Sequence, residues 1–356
     1  MATSPQPEVY HTKPLVCRPT VSVIIPVHNG GTRFRRCLQN LAASDRTPEE
    51  IIVVSDGDSD GSWQVAAQCG ANVLRIPTPG GPARARNLGA SKAKGDILFF
   101  FDADVAIPKD AVGRVADAFQ DDPDLVALFG SYDSEPFESN FLSQYKNLFH
   151  HYVHQTAKVD ASTFWSGCGA IRRKVFLAIG GFEESYRRPA IEDIELGYRL
   201  KKAGHCIRLL KELQVKHLKR WEILSLLKAD FLYRALPWTA LILKEDSFIN
   251  DLNTTLSSRL SVICTFLLLA SLLGTFGIPL LFIPALACMI ALLLINRDLY
   301  HFFGKKRGLG FALKTIPWHW AYFFYSGLAF AVGLIQHRIG RIRHAGKITE
   351  DGSNTA

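Results

Sequence analysis

Short apolar runs alternate with amphipathic stretches over roughly the first hundred residues of the chain. The runs have the length of strands, and the stretches between them carry apolar residues at helical spacing. Strands that alternate with helices in this way form parallel sheets covered by helices on both faces. The pattern predicts an α/β fold, with strands at 21–27, 50–55, 72–76 and 97–101 and helices at 33–43, 63–70 and 83–93.

The fourth apolar run ends in two carboxylates. Residues 97–101 are all apolar, as in a strand buried on both faces, and Asp102 and Asp104 follow directly. Carboxylates two positions apart at a strand end can bind one divalent cation, because hard cations prefer oxygen ligands. Open sheets also bind their ligands at the carboxyl ends of parallel strands. The alternative interpretation is a polar turn before a helix that Pro108 begins.

Two other strand ends carry polar residues suited to a nucleotide. Asn29 follows the first strand, and Asp56 follows the second, where it could bind a base or ribose or else cap the next helix. Gly80-Gly81 could present N–H groups to a phosphate at a helix start, with Arg84 and Arg86 adding charge-assisted bonds. The chain has no dinucleotide-binding glycine motif and no P-loop, which argues against both of those folds.

The region 105–190 has a less regular pattern. Three histidines (His150, His151 and His154) invite a metal interpretation, but no cysteine or carboxylate completes a set, so a helix face is predicted. Residues 164–170 are rich in small side chains, which suits a surface that a substrate approaches closely. Asp193 lies at the start of an amphipathic helix. It either complements the helix dipole or faces the ligand cleft as a general base.

The last third of the chain changes character. Residues 221–243 mix basic and apolar side chains at helical spacing, which is typical of a helix in a membrane interface. Residues 260–295 contain no charged side chain and would span about 54 Å as one helix, so we expect two membrane spans that fold back near 277–279. An aromatic-rich stretch at 315–335 is a candidate third span.

Basic residues set the expected orientation of these spans. The loop before 315–335 carries Lys305, Lys306 and Arg307, which places it, and with it the α/β domain, in the cytoplasm. The basic tail beyond residue 337 also favours the cytoplasm, although a third full span would put it on the other side. The sequence leaves open whether 315–335 crosses the membrane or is re-entrant.

Composition and net charge restrict the classes of molecule that the protein is expected to bind. Of the 356 residues, 48% are hydrophobic, so part of the chain is expected to leave water, and the net charge of +8 suits an anionic membrane surface or a phosphate-bearing ligand. No dense block of Lys and Arg with interleaved aromatics occurs, which argues against nucleic acid.

Five short motifs follow one another between residues 20 and 222. They are V-S-V-I-I-P-x-x-N at 21–29, E-I-I-V-V-S-D-G-D-S-D-G-S at 50–62, A-R-N-x-G at 85–89, D-x-D at 102–104 and E-D at 192–193. In this order they resemble the motifs of family 2 glycosyltransferases with a GT-A fold, in their membrane-attached form. His217-x-x-Arg220-Trp221 is similar to the Q-x-x-R-W of processive members, and the replacement of Gln argues against processive polymer synthesis.

The resemblance implies a role for each matching residue. Asp193 is the expected catalytic base, and Asp104 is the main ligand of Mg²⁺ or Mn²⁺, with Asp102 near the ribose and His217 completing the metal site. The implied donor-binding residues are Pro26, Asn29, Asp56, Arg84, Arg86, Asp102 and Asp104. The implied acceptor or diphosphate residues are Glu192, Arg220 and Trp221.

The resemblance also implies an organisation for the whole chain. It predicts a flexible lead-in at 1–20, a GT-A catalytic domain at 21–220, interfacial helices at 221–256, a transmembrane region of two to three spans at 257–336 and a basic tail at 337–356. The expected protein is an integral membrane, metal-dependent, inverting hexosyltransferase. It would take a sugar from a nucleotide-sugar donor, most simply a UDP-sugar, to a hydroxyl acceptor, most simply lipid-linked.

Two other classes of function compete with this hypothesis. A non-catalytic membrane scaffold or regulatory subunit could keep the fold, but Asp102, Asp104 and Asp193 are all retained. A nucleotidyltransferase would need a glycine- and lysine-rich loop after the first strand, and residues 28–31 do not match one.

Overall fold

The computed structural model describes residues 18–245 and 252–353 of the chain, with the side chains of residue 253 and of 340–353 excepted. Residues 1–17 of the predicted lead-in therefore lie outside the described residues. Most side chains of the predicted basic tail also lie outside them.

Eight strands form one mixed sheet in the order β3-β2-β1-β4-β7-β6-β8-β5. They are β1 (Val21–Val27), β2 (Glu50–Asp56), β3 (Asn72–Ile76), β4 (Ile97–Phe101), β5 (Val105–Ala106), β6 (Ala127–Tyr132), β7 (Cys168–Arg172) and β8 (Ile207–His217). The pairs β1–β2, β1–β4, β2–β3 and β6–β8 are parallel, whereas β7 runs antiparallel between β4 and β6. The predicted, mostly parallel α/β sheet is confirmed.

Seven helices accompany this sheet. They are α1 (Gly31–Ala42), α2 (Ser62–Gln68), α3 (Pro82–Lys92), α4 (Ala111–Asp121), α5 (Phe141–Thr156), α6 (Arg173–Ala178) and α7 (Glu192–Lys202). The sheet is buried on both faces. Phe99 and Phe101 pack on one side with Val23, while Leu98 and Phe100 pack on the other with Ile24. This two-sided burial explains why the strands are unbroken apolar runs rather than alternating ones.

The small residues at 164–170 have a different role from the one their composition suggested. Cys168, Gly169 and Ala170 are buried in β7. A Cβ atom on Gly169 would lie 2.4 Å from the backbone oxygen of Trp165 and 2.5 Å from the Phe164 ring. The prediction of a substrate-facing surface is wrong for this strand, because its residues are buried and Gly169 leaves room for Trp165 and Phe164.

The C-terminal third is helical. It contains α8 (Ile223–Lys228), a π-helix (Ala229–Ala235), α9 (Leu236–Glu245), α10 (Leu256–Gly274), α11 (Phe282–Ile295), α12 (Arg297–Arg307) and α13 (Leu309–Ser353), with short 3₁₀ turns at Leu252–Thr254 and Pro279–Leu281. The apolar run that the sequence divided near 277–279 is broken there, between α10 and α11. Within the described residues, α10 is long and apolar enough to cross a membrane, and Pro279–Ile295 with Arg297–Arg307, bent by 59°, would be a second candidate.

The helices share a packed and charged junction with the α/β domain. Tyr145 and Leu148 of α5 pack with Leu299 and Phe303 of α12. At the same junction the buried carboxylate of Asp230, in the π-helix, accepts hydrogen bonds from Lys146 Nζ at 2.7 and 2.8 Å and from the Tyr325 hydroxyl at 2.9 Å.

Candidate functional site

The carboxyl ends of β1, β2 and β4 lie side by side, since the three strands are parallel and adjacent. This arrangement brings Asn29, Asp56 and Asp102 to one edge of the sheet. Asp104 follows in the turn before β5, and β5 pairs with the end of β8 through Val105 and His217. Residues far apart in the sequence, after β1, β2 and β4 and at the end of β8, therefore meet at this edge.

Asp56 organises the turn before α3. Its two carboxylate oxygens accept hydrogen bonds from the backbone N–H groups of Gly80 and Gly81, both at 2.8 Å, and the residue is buried. Those N–H groups are therefore not free for a phosphate, and that prediction was wrong. Asp56 is also not the cap of α2. Each carboxylate oxygen keeps acceptor capacity, so a base at this position could still donate to it.

The loops after β1 and β2 are tied together by side chains. Asn29, which has a left-handed backbone (φ 51°), accepts a hydrogen bond from Ser59 N at 2.8 Å. Asp60 accepts from Gly31 N at 2.9 Å and from Ser62 N and Oγ at 3.0 and 2.6 Å. Burial opposes ionisation of Asp60, but the Ser62 and Gly31 bonds outweigh it and lower the pKa of that carboxyl. Asn29 thus positions the loop with its side chain.

Arg86 bridges two carboxylates in the interior of the site. Its Nη2 donates to Asp102 Oδ1 at 2.7 Å and its Nη1 donates to Glu192 Oε1 at 2.9 Å, with Arg86 only 3% exposed. Burial disfavours the charge, yet Asp102 and Glu192 raise the pKa of the guanidinium above its ordinary value. Arg86 and the buried Glu192 thus hold Asp102 in place, and the predicted ligand contacts of Arg86 and Glu192 stay predictions.

Asp193 lies beside this bridge, at the first turn of α7. Its Oδ2 accepts hydrogen bonds from Ser166 N at 3.0 Å and Ser166 Oγ at 3.2 Å, and it remains partly exposed. Burial, and then the negative charge of Glu192, raise the pKa of Asp193 from 3.8 to about 6. A carboxyl group with such a pKa can take up a proton near neutral pH, as a general base requires.

Asp104 and His217 form the other corner of the site. His217 Nε2 lies 3.8 Å from Asp104 Oδ2, and the imidazole stacks on Tyr132 with ring centroids 4.4 Å apart. Burial, and then the positive charge of Lys219, lower the pKa of His217 to about 3. The ring is therefore neutral at physiological pH, which is the form that binds a metal.

These groups fit a divalent cation that is held only partly by protein. Within the described residues, no three side chains from His, Cys, Asp and Glu are grouped as a complete metal site. Asp104 and His217 supply one carboxylate and one neutral imidazole at neighbouring positions. Mg²⁺ in phosphate-binding sites typically has one or two protein ligands, with substrate phosphates and water in the other positions.

The remaining predicted site residues lie around this edge with different exposures. Pro26 is partly buried in β1, and Arg84 is exposed on α3. Arg220 is exposed and pairs with Glu222 at 2.7 Å and Glu138 at 3.4 Å. Trp221 is buried, and its backbone N–H donates to Ser143 Oγ at 2.7 Å. These contacts hold Trp221 in position, and its role as an acceptor or diphosphate contact stays a prediction.

Lys219 is a site residue that the sequence analysis missed. Its ammonium lies 4.2 Å from the centroid of the Trp221 ring, and Leu218 N, next to it in the chain, donates to Asp104 O at 2.8 Å. Burial lowers the pKa of Lys219, whereas the negative charge of Asp104 acts in the opposite direction. The signal available in the sequence was the position of Lys219 two residues after His217, just beyond the end of β8.

Comparison with known proteins fits this geometry. Residues 22–180 match the family model described as "Glycosyl transferase family 2", and residues 147–222 match "N-terminal domain of galactosyltransferase". Over residues 22–180 the α/β domain is therefore similar to glycosyl transferase family 2.

Three relatives illustrate the likeness. The uncharacterized glycosyltransferase YibD of Escherichia coli (strain K12) is 36% identical over 88 residues, which are 24% of this chain and 26% of that protein. YfnE of Bacillus subtilis (strain 168) is 25% identical over 250 residues (55% and 64%). The pre-mycofactocin glycosyltransferase of Mycobacterium tuberculosis (strain ATCC 25618 / H37Rv) is 28% identical over 199 residues (53% and 40%). The matches thus cover less than two thirds of each relative.

One solved structure shares the fold along most of the chain. The mannosyltransferase PcManGT of Pyrobaculum calidifontis, solved with GDP-Man and Mn²⁺, superposes with a TM-score of 0.56 at 16% identity, over 91% of this chain and 90% of that one. The predicted GT-A type fold is confirmed. At this identity the likeness speaks for the fold alone.

Proposed function

We propose that this protein is an inverting glycosyltransferase that moves a sugar from a nucleotide-sugar donor to a hydroxyl acceptor at a membrane surface. The observation that carries the proposal is the convergence of Asp56, Asp102, Asp104 and Asp193 at one sheet edge. Arg86 links Asp102 to Glu192, the neighbour of Asp193. Donor-side and acceptor-side carboxylates are thereby held in a fixed relation.

On the donor side, Asp56 is placed to accept a hydrogen bond from the base, and Asp102 from the ribose. Asp104 and His217 would hold the divalent cation. Bound there, a divalent cation would neutralise negative charge on the leaving diphosphate. The Arg86 bridge keeps Asp102 oriented, so that donor binding need not pay for ordering that side chain.

On the acceptor side, Asp193 is the proposed base. It removes the proton from the acceptor hydroxyl while the hydroxyl oxygen forms a bond to the anomeric carbon. The bond from that carbon to the diphosphate oxygen breaks, and the electron pair leaves with the diphosphate. One displacement of this kind inverts the anomeric configuration. A pKa of about 6 suits Asp193 for the task, because it is ionised at pH 7 and still basic enough to accept a proton.

The acceptor is proposed to be lipid-linked. Helix α10 and the turn that follows it expose large apolar side chains, among them Leu273 at 71% and Phe276 at 92% exposure, as expected for surfaces that contact lipid. The shared junction of α5 with α12 and α13 keeps the α/β domain against these helices. A lipid carrier in the bilayer plane would therefore be presented close to the site, with the α/β domain on the cytoplasmic side.

The direct test is turnover by the full-length protein in detergent with a panel of UDP- and GDP-sugars and a membrane lipid extract. We expect one donor to release its nucleoside diphosphate and to label a lipid, with the inverted anomeric configuration in the product. Asp193→Asn is the low-activity control and should label far less lipid than wild type. If wild type turns over no donor, the proposal is wrong and a non-catalytic role is favoured. If Asp193→Asn turns over a donor as fast as wild type, Asp193 is not the base.

A further inference from the structure

The side chains at the end of β8 and just after it differ in their surroundings. Arg220 turns to the surface, where Glu222 and Glu138 neutralise it. His217, Lys219 and Trp221 are two residues apart and lie together: the ring centroids of His217 and Trp221 are 6.4 Å apart, and the Lys219 ammonium covers the Trp221 ring. The cation on the side of Asp104 and His217 is therefore Lys219 and not Arg220.

The Lys219 ammonium has no carboxylate partner. Within the part of the chain that the structure describes, no ion pair and no hydrogen bond of Lys219 Nζ accompanies its contact with Trp221. Two lysines of β8 do have polar partners: Lys216 pairs with Asp133 at 2.7 Å, and Lys211 donates to Gln155 O at 2.9 Å. A partly buried, unpaired ammonium is unfavourable unless an anion joins it.

Lys219 also lies within electrostatic reach of Asp104 and His217. The negative charges of Asp104 and Asp102 act on its ammonium, and its own positive charge acts on His217. The ammonium is therefore close to the position proposed for the divalent cation and the diphosphate.

We propose that Lys219 binds the diphosphate of the nucleotide-sugar donor and stays with it as the leaving group departs. This inference rests on the proposed function and names its diphosphate-binding cation. The rigid indole face of Trp221 fixes the ammonium, so little side-chain freedom remains to be lost on binding. When the bond to the sugar breaks, the added negative charge on the diphosphate oxygen develops beside a cation that is already in place.

The test compares Lys219→Met with the wild type by calorimetry. UDP and GDP are titrated into the full-length protein in detergent, with Mn²⁺ and separately with EDTA, and the parent nucleosides uridine and guanosine are measured at millimolar concentration. We expect the nucleoside diphosphate that wild type binds to lose about 10- to 100-fold in affinity, the range for a charge-assisted hydrogen bond. Nucleoside affinity should not change, and Lys219→Arg should keep most of the diphosphate affinity.

Lys211→Met is the matched control, because it removes a positive charge from β8, the strand that precedes Lys219, and should leave diphosphate affinity unchanged. Equal diphosphate affinity in wild type and Lys219→Met overturns the inference while the proposed function stands. A parallel loss of nucleoside and diphosphate affinity also overturns it, since that result indicates a structural role. If wild type binds neither diphosphate, the proposed function fails as well. Thermal melting of each variant shows whether it is folded.

Discussion

The carboxyl edge of the sheet and the C-terminal helices both contain buried ion pairs, but the pairs have different roles. At the sheet edge, buried charges are paired across elements so that a few carboxylates stay available, as the Asp102–Arg86–Glu192 bridge shows. Among the helices, a buried pair of Lys146 and Asp230 fastens the junction, and apolar side chains remain outside. The comparison suggests that buried charge serves chemistry in the first region and docking in the second.

The largest effect should come from Asp193→Asn, on the sheet-edge side of the comparison. Loss of the base is expected to reduce turnover by roughly 10²–10⁴-fold. The wild-type rate should rise with pH through about 6, as Asp193 deprotonates, and this limb should disappear in the variant. The measurement is the pH profile of donor turnover. An unchanged limb near pH 6 would mean that another group is the base.

Asp193→Asn should also change how the stability of the folded protein depends on pH. Because the pKa of Asp193 is raised, the folded protein holds a proton between pH 3.8 and about 6 that the unfolded chain has lost. Stability therefore falls as pH rises through this window, and above it the ionised group keeps its cost. The Asn variant should consequently be as stable as wild type, or more so, at pH 8.

Arg86→Met should be the most destabilising change at the sheet edge. It leaves Asp102 and the buried Glu192 without their common partner, which we expect to cost about 3–5 kcal/mol of unfolding free energy. Arg114→Met is the matched control: its pair with Asp110 is exposed and should contribute less than about 1 kcal/mol. The free energies come from denaturant unfolding. Similar values for the two variants would contradict the structural account of the bridge.

Asp230→Asn tests the other region. It removes the charge that faces Lys146 and leaves one acceptor oxygen in place of the two that accept from Lys146 and Tyr325, so we expect a loss of about 1–3 kcal/mol. Nucleotide affinity should stay at the wild-type value, because Asp230 fastens the junction. A fall in nucleotide affinity without loss of stability would show that the two regions are not separate in function.

Phe276→Ser should have the smallest effect on folding. The side chain is 92% exposed at the end of α10, so the unfolding free energy should change by less than about 0.5 kcal/mol. Partitioning of the purified protein into liposomes should weaken, and the exposed polar exchange Ser257→Thr is the control. An unchanged partition would count against lipid contact at this turn.

Much of the fold could be predicted from the sequence, because β1, β2 and β4 are apolar runs that end in polar turns. Asp102 and Asp104 were found in this way. The failures have a common cause: a sequence does not show which way a side chain turns. The pairing of Arg86 with Glu192 across the core, for example, was not visible in the sequence. Gly80 and Gly81 read as open N–H donors, but Asp56 occupies them.

Other misses came from neighbours distant in sequence. The antiparallel strand β7 was not predicted, because its pairing with β4 and β6 joins residues distant in sequence. Strand β8 ends at His217, and Lys219 follows two residues later against Trp221. The roles of the site residues, the domain boundaries at 20, 220, 256 and 336 and the number of membrane spans stay predictions.

The most direct test of the central claim is a calorimetric titration of UDP and of GDP into the full-length protein in detergent, with Mn²⁺ or with EDTA. The account predicts that one of the two nucleotides binds, that EDTA weakens the binding, and that Asp104→Ala abolishes the difference between the two conditions. Absence of binding by either nucleotide to a protein shown to be folded would contradict it.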